Sequence, residues 1–211
     1  MSISNNRVLI VAPHADDEVL GVGGTVEKLK NTHEFGLIVC GKRERDDEKI
    51  INNAVSHYDH VRLVPYYKDE YYHANFRSII KEIERVYTKF KPSVVYIPNK
   101  DDFNNDHTCV HKACEIAFRR FQEHQPDRIL MYEVPSSTTQ SFNNNFHCNY
   151  YETLTKQHVQ DKITKLMLYE DEVREYPNPR SKQGLETYAR FRGMECNSEY
   201  AEGFRLMYQK V

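Results

Sequence analysis

The sequence predicts an α/β fold: a Rossmann-like three-layer sandwich with a mostly parallel sheet, ordered 3-2-1-4-5, and a C-terminal helical and strand appendage. Three observations predict it. Short apolar runs alternate with longer stretches whose apolar residues recur at helical spacing. That alternation is the pattern of parallel strands whose connecting helices cover both faces of the sheet. After Pro135 the alternation stops and the chain turns rich in Ser, Thr and Asn. At 211 residues the chain fits one domain, 1–211, with a core sheet over 1–135 and an appendage over 136–211 that closes over its rim.

The elements follow in order. Arg7 to Pro13 reads as a strand with the buried run Val8-Leu9-Ile10-Val11, and Asp16 to Lys30 as a helix with Val19, Leu20, Gly23, Val26 and Leu29 near one face. Phe35 to Gly41 is a second apolar strand, Asp46 to Tyr58 a helix, and Val61 to Pro65 a short strand. Phe76 to Phe90 is a helix with Ile79, Ile80, Ile83, Val86 and Tyr87 at helical spacing, broken by Pro92. Ser93 to Pro98 is a fourth strand, Asp106 to Phe121 a helix, and Arg128 to Val134 a fifth strand. Ser136 to Asn149 reads as a long loop or irregular hairpin. Val159 to Val173 reads as a helix, Pro177-Asn178-Pro179 breaks the chain, and Ser181 to about Arg192 is a helix ended by Gly193. Tyr200 to Tyr208 is short and amphipathic, strand or helix.

Composition excludes several classes. A formal net charge of -2 gives no bulk attraction for nucleic acid. No apolar run reaches the roughly 18 residues that span a membrane, and Met1 to Arg7 lacks the pattern of a secretory signal. Five cysteines, an odd number with no CxxC pair, read as reduced thiols of a cytoplasmic protein. Most of the 15 tyrosines read as filling at the core edge. Oligomeric state stays open, a homo-oligomer included.

The chemistry concentrates in Pro13-His14-Ala15-Asp16-Asp17-Glu18, between the first strand and its helix. An ordinary turn needs no histidine followed by three acids. Their repulsion is offset by the helix N-terminus, as an acidic cap, or by a divalent cation. Right-handed crossovers limit the possible orders, and in the commonest, 3-2-1-4-5, the first and fourth strands lie side by side where the order reverses, and ligands bind there. Asn99 to His107 follows the fourth strand and reaches the same rim with Asp101, Asp102, Asp106, His107 and then His111. His14, Asp17 and His107 make a two-histidine, one-carboxylate set that suits zinc with a position left for water. Of Asp16 and Asp17, neighbours in the chain, one can face the metal and the other the substrate. Asp106 is placed to fix the tautomer of a ligand histidine. Alone, His107 reads as an exposed histidine near a helix start. His107 with His111 is a weaker metal pair that lacks the Glu of HExxH.

These motifs resemble the LmbE-like (PIG-L) family of zinc-dependent deacetylases, and the resemblance runs over nearly the whole chain. It rests on PHADDE, on GVGGT in the following helix, on Arg45 and Glu48, and on Asn104-Asn105-Asp106-His107-Thr108-Cys109-Val110 against HxDHxxV. The tail adds Tyr132 to Ser137, Pro179-Arg180-Ser181, Arg192-Gly193 and Tyr200 to Phe204. By position the resemblance implies Zn2+ on His14, Asp17 and His107, Asp16 as general base and Asp106 as the orienting aspartate. It implies Arg45, Arg180, Tyr200 and Glu202 on the substrate side, and an N-acetylated sugar as substrate in surface-polysaccharide chemistry. Ala15 stands in place of a proline. Asn104 stands in place of a histidine that is implicated in stabilising the oxyanion or protonating the leaving amine. An amide donates a hydrogen bond but is no acid near neutral pH.

Two rivals follow. A dinucleotide-binding oxidoreductase fits the strand order, but Gly21, Gly23 and Gly24 lie inside the helix, and the acids of the turn repel phosphate. A noncatalytic sugar- or partner-binding member of the family fits Asn104.

Overall fold

The computed structural model describes residues 6–41, 48–64, 72–142 and 146–211. Five parallel strands come first: β1 (Arg7–Ala12), β2 (Glu34–Val39), β3 (His60–Leu63), β4 (Val94–Pro98) and β5 (Arg128–Tyr132). Four helices alternate with them: α1 (Asp17–Leu29), α2 (Glu48–Ala54), α3 (Phe76–Phe90) and α4 (Asn105–Ala117). The remainder holds β6 (Tyr150–Leu154), α5 (Lys156–Leu166), α6 (Lys182–Glu195) and β7 (Tyr200–Gln209). Single 3-10 turns occur at Thr138–Gln140 and Glu170–Glu172.

The sheet has seven strands in the order β3-β2-β1-β4-β5-β7-β6. The predicted order 3-2-1-4-5 is therefore one side of a larger sheet. In register, Ile10 of β1 lies between Leu37 of β2 and Tyr96 of β4. The correction concerns the tail, which extends the sheet instead of only covering it: β7 pairs antiparallel with β5 and β6 pairs antiparallel with β7. The expected helix over Val159–Val173 starts earlier, at Lys156, and ends at Leu166. Thr155 caps it, accepting from the His158 amide at 3.3 Å. Residues 46 and 47 of the expected second helix lie outside the described residues.

Two cores flank the sheet. One joins Val8, Ile10 and Leu37 to α1, α2, α5 and α6 through Val19, Ile51, Ile163 and Leu185. The other joins Leu9, Val11 and Ile38 to α3 and α4 through Ile79, Ile83, Val110 and Ala113. Alternate residues of β1 thus face opposite helix layers, as the period of a strand dictates. α1 is buried from Asp17 to Glu27, and its glycines explain how. A Cβ on Gly21 would sit 2.2 Å from the Tyr132 ring, and one on Gly24 would sit 2.5 Å from Leu154. They let the helix lie against the sheet; they do not cradle a phosphate.

Candidate active site

The turn between β1 and α1 is held by its own side chains. The His14 amide donates to Asp17 Oδ2 at 2.9 Å, and the Asp16 amide donates to Glu18 Oε2 at 3.0 Å. Glu18 Oε1 accepts from the Tyr169 hydroxyl at 2.5 Å. Asp16 has φ 108°, a left-handed conformation that costs an L side chain on the order of 1–3 kcal/mol and persists where the surroundings impose it. Burial pushes the Glu18 carboxyl up to about 7, the charge of Asp16 acts in the same sense, and the Tyr169 bond opposes.

The second half of the site opens α4. Asn104 is its N-cap, with Oδ1 accepting from the Asp106 amide at 2.8 Å. Asp102 Oδ1 accepts from the Asn104 amide at 2.9 Å, and Oδ2 from Thr138 Oγ1 at 2.6 Å. Ser137 Oγ donates to Oδ1 as well. These bonds aim His107, in the first turn of α4, back at the first loop.

The two loops meet as the strand order requires. Asp17 Oδ2 lies 3.4 Å from His14 Nδ1 and 3.2 Å from His107 Nε2. Each ring turns its other nitrogen to a second carboxylate: His14 Nε2 is 3.1 Å from Asp106 Oδ2, and His107 Nδ1 is 3.4 Å from Asp102 Oδ2. All three residues are at least 96% buried. Their ligand atoms lie within 4.8 Å of one another, and they form the one such metal-competent group among the described residues.

The electrostatics of this cluster call for positive charge. Burial works to raise the Asp17 carboxyl, but the charge of His107 and the bonds from both histidines hold it well below the usual carboxylate range. Burial works to lower His107, but the charge of Asp17 and the contacts with Asp102 and Asp17 raise it to about 10. His14 is raised against burial by Asp106 and Asp17. Asp17 Oδ1 is buried with no hydrogen-bond partner among the described residues. A buried anion between two imidazoles, each backed by a further acid, is the donor set a tetrahedral divalent metal takes. The residues present fit the metal.

Asp16 lies beside this cluster. Arg180 reaches it from the tail, Nη1 donating to Asp16 Oδ2 at 2.8 Å and Nε to Ser136 Oγ at 2.6 Å. Glu172 accepts from the same guanidinium. The structure therefore brings together His14, Asp16, Asp17, Asp106, His107 and Arg180, with Asn104 at the start of α4.

Other expected site residues lie elsewhere. Glu202 is buried in β7, accepting from the Gly24 amide at 2.8 Å, the Thr25 amide at 2.7 Å and Lys162 Nζ at 2.7 Å. Tyr200 is buried, its hydroxyl bonded to Arg190 and Glu186. Both side chains spend their polar atoms on packing the tail. Arg45 lies outside the described residues. His111 points from α4 to the Pro98 carbonyl, with Nδ1 at 2.8 Å, and takes no part in the metal-competent group. Asp102, Thr138, Glu172 and Tyr169, which the motifs left without a role, bond to or pack beside the residues of the cluster. For Asp102 the available signal was its position within the Asn99–His107 stretch.

An open α/β sheet with a buried His–Asp–His centre on its carboxyl rim defines the class: a protein with a candidate metal site at the switch point of its strands. The family model described as PIG-L, GlcNAc-PI de-N-acetylase, matches residues 9–118, which contain every residue of that centre. The chain belongs to the PIG-L family.

Solved structures share the fold. A conserved protein from Thermus thermophilus is 19% identical over 97% of this chain and 96% of its own, with a TM-score of 0.78. N,N'-diacetylchitobiose deacetylase from Pyrococcus horikoshii, complexed with its inhibitor, is 18% identical over 96% of this chain and 84% of its own, at 0.74. The 4-carboxy-2-hydroxymuconate hydratase from Pseudomonas putida is 14% identical over 98% of both chains, at 0.72. Such likeness carries the fold and leaves the reaction to be argued from the site. No helix among the described residues is long and apolar enough to cross a membrane.

Proposed function

We propose that this chain is a zinc-dependent hydrolase that removes the acetyl group of an N-acetylated sugar, giving acetate and a free amino sugar. The observation that carries this reading is the convergence of His14, Asp17 and His107 beside a second carboxylate, Asp16, held in a left-handed conformation. Bound zinc would acidify a water and polarise the amide carbonyl. His14, Asp17 and His107 would hold it, with Asp106 and Asp102 fixing the tautomers of the two rings.

Asp16 takes the proton of the attacking water and returns it to the nitrogen as the carbon–nitrogen bond breaks. The Arg180 bond fixes which way that carboxylate faces. The Asn104 oxygen is committed to its cap, so its NH2 is the group that donates to the developing oxyanion. The family match and a deacetylase among the structural neighbours support the acetamide as substrate. The five free cysteines fit a reducing compartment, the cytoplasm.

A second reading rests on Asn104: with its oxygen used as a cap, the chain is a noncatalytic binder of the same sugars. One assay separates the two. The zinc-loaded protein is incubated with N-acetylglucosamine, N,N'-diacetylchitobiose and a nucleotide-linked N-acetyl sugar, and free amine is measured. Release from one of them is expected. Binding without release on any of them transfers the case to the second reading.

A further inference from the structure

Phe103 stands between two residues that the site holds fixed. Asp102 is anchored by Thr138 Oγ1 at 2.6 Å and reaches past Phe103 to accept the Asn104 amide at 2.9 Å. Asn104 in turn is locked as the cap of α4. The backbone at Phe103 is thus pinned on both sides, yet its ring is 67% exposed, while Asp102 is 8% and Asp106 is 6% exposed. A single exposed aromatic needs no explanation on most surfaces. This one sits one residue from the acid backing His107, on the rim where ligands of such sheets bind. Phe121 makes the contrast. It is 99% exposed, but it follows the far end of α4, whose 13 residues put about 20 Å between the two ends.

A pyranose ring with equatorial hydroxyls presents a face made only of C–H bonds. Such a face is apolar and matches the π-face of an aromatic ring, which loses little side-chain entropy when it is covered. We propose that Phe103 is the platform on which the sugar ring of the substrate stacks, adding affinity for that ring and favouring rings with no axial hydroxyl on that face. This rests on the deacetylase reading above, and the test distinguishes the failure of one from the failure of the other.

The contact forms in the ground state and persists in the transition state, so its loss raises KM and leaves kcat. Kinetics on N,N'-diacetylchitobiose are measured for wild type, Phe103→Ala, Phe103→Trp and Phe121→Ala in the zinc-loaded protein. Alanine at 103 is expected to raise KM about tenfold, tryptophan to restore it, and alanine at 121 to change nothing. A Phe103→Ala KM within twofold of wild type overturns the proposal alone, as does a raised KM that tryptophan fails to restore. Saturation-transfer NMR with methyl N-acetylglucosaminide covers a wild type without turnover. Sugar signals seen with wild type and lost with Phe103→Ala then support the platform while the hydrolase reading falls. No signal with wild type removes both.

Discussion

Asp102 is the residue whose removal tests the site most sharply. Its carboxylate accepts from the Asn104 amide and the Thr138 and Ser137 hydroxyls, and it faces His107 Nδ1. Asp102→Asn keeps the shape and removes the charge. The His107 contact is 3.4 Å, longer than the 2.7–2.9 Å usual for charge-assisted bonds. The loss of metal affinity therefore belongs at the low end of the ten- to hundredfold range for such partners, about tenfold. Asp102→Ala goes further and leaves two hydroxyls and an amide without their acceptor at a site only 8% exposed. At about 1 kcal/mol for each of the three groups, the fold loses on the order of 3 kcal/mol. For a chain of this size that is a Tm lower by roughly 6–12 °C. Zinc affinity is read by competition with a chromophoric chelator, and Tm by differential scanning calorimetry of the metal-free protein. Wild-type zinc affinity in Asp102→Asn would refute the claim that Asp102 orients His107. An unchanged Tm in Asp102→Ala would refute the claim that it ties the loop after β4 to Ser137 and Thr138.

Four further outcomes follow from the same geometry. Purified protein should carry one zinc per chain, and Asp17→Ala or His107→Ala should lose most of it; full occupancy in both by elemental analysis removes the ligand assignment. Asp16→Asn should keep the metal and lose most turnover, so undiminished acetate release takes Asp16 out of the mechanism. Asn104→Ala should cost roughly ten- to a thousandfold in turnover through the lost donor, and about 1 kcal/mol in stability through the lost cap. Stability lost with turnover intact would make Asn104 a cap and nothing more. His111 is 2% exposed, and burial pushes it below its ordinary 6.5. Below that value the unfolded chain gains a proton the folded chain resists, so stability falls as pH drops from 6.5 toward the folded value. His111→Gln should flatten that acid limb in a Tm–pH series, and superimposable limbs would assign the acid sensitivity elsewhere.

The half of the site built on β1, β4 and their following turns was legible in the sequence for a physical reason. A metal centre packs unusual residue types at strand ends, and a parallel sheet with right-handed crossovers leaves few ways to arrange those ends. His14, Asp17 and His107 could be brought together from the sequence because the order of the strands sufficed. The tail resisted the same treatment. β7 contains Glu202 and Arg205, and nothing in YAEGFRLMYQ tells a buried carboxylate from one in water. The answer depends on Lys162 and on two amides of α1, remote in sequence. That is why Tyr200 and Glu202, expected at the substrate, are bonded elsewhere: Tyr200 to Arg190 and Glu186 within the tail, Glu202 to Lys162 and to α1. Arg180 was assigned toward the substrate, and its bond to Asp16 depends on how the segment after α5 turns back.

Gly24 and its acceptor Glu202 are separated by 178 residues. β7 must also lie between β5 and β6 before β6 has any partner in the sheet. A growing chain that has made β1 to α6 therefore carries an open edge along β5, a stranded β6, and on α5 a lysine, Lys162, still waiting for its counter-ion. The helix that presents Asp17 is among the earliest elements to be synthesised, yet the acceptor of its Gly24 and Thr25 amides lies in the last strand. Until β7 emerges from the ribosome the β5 edge has no partner strand, so a chaperone that shields it during that interval should raise the yield of folded protein.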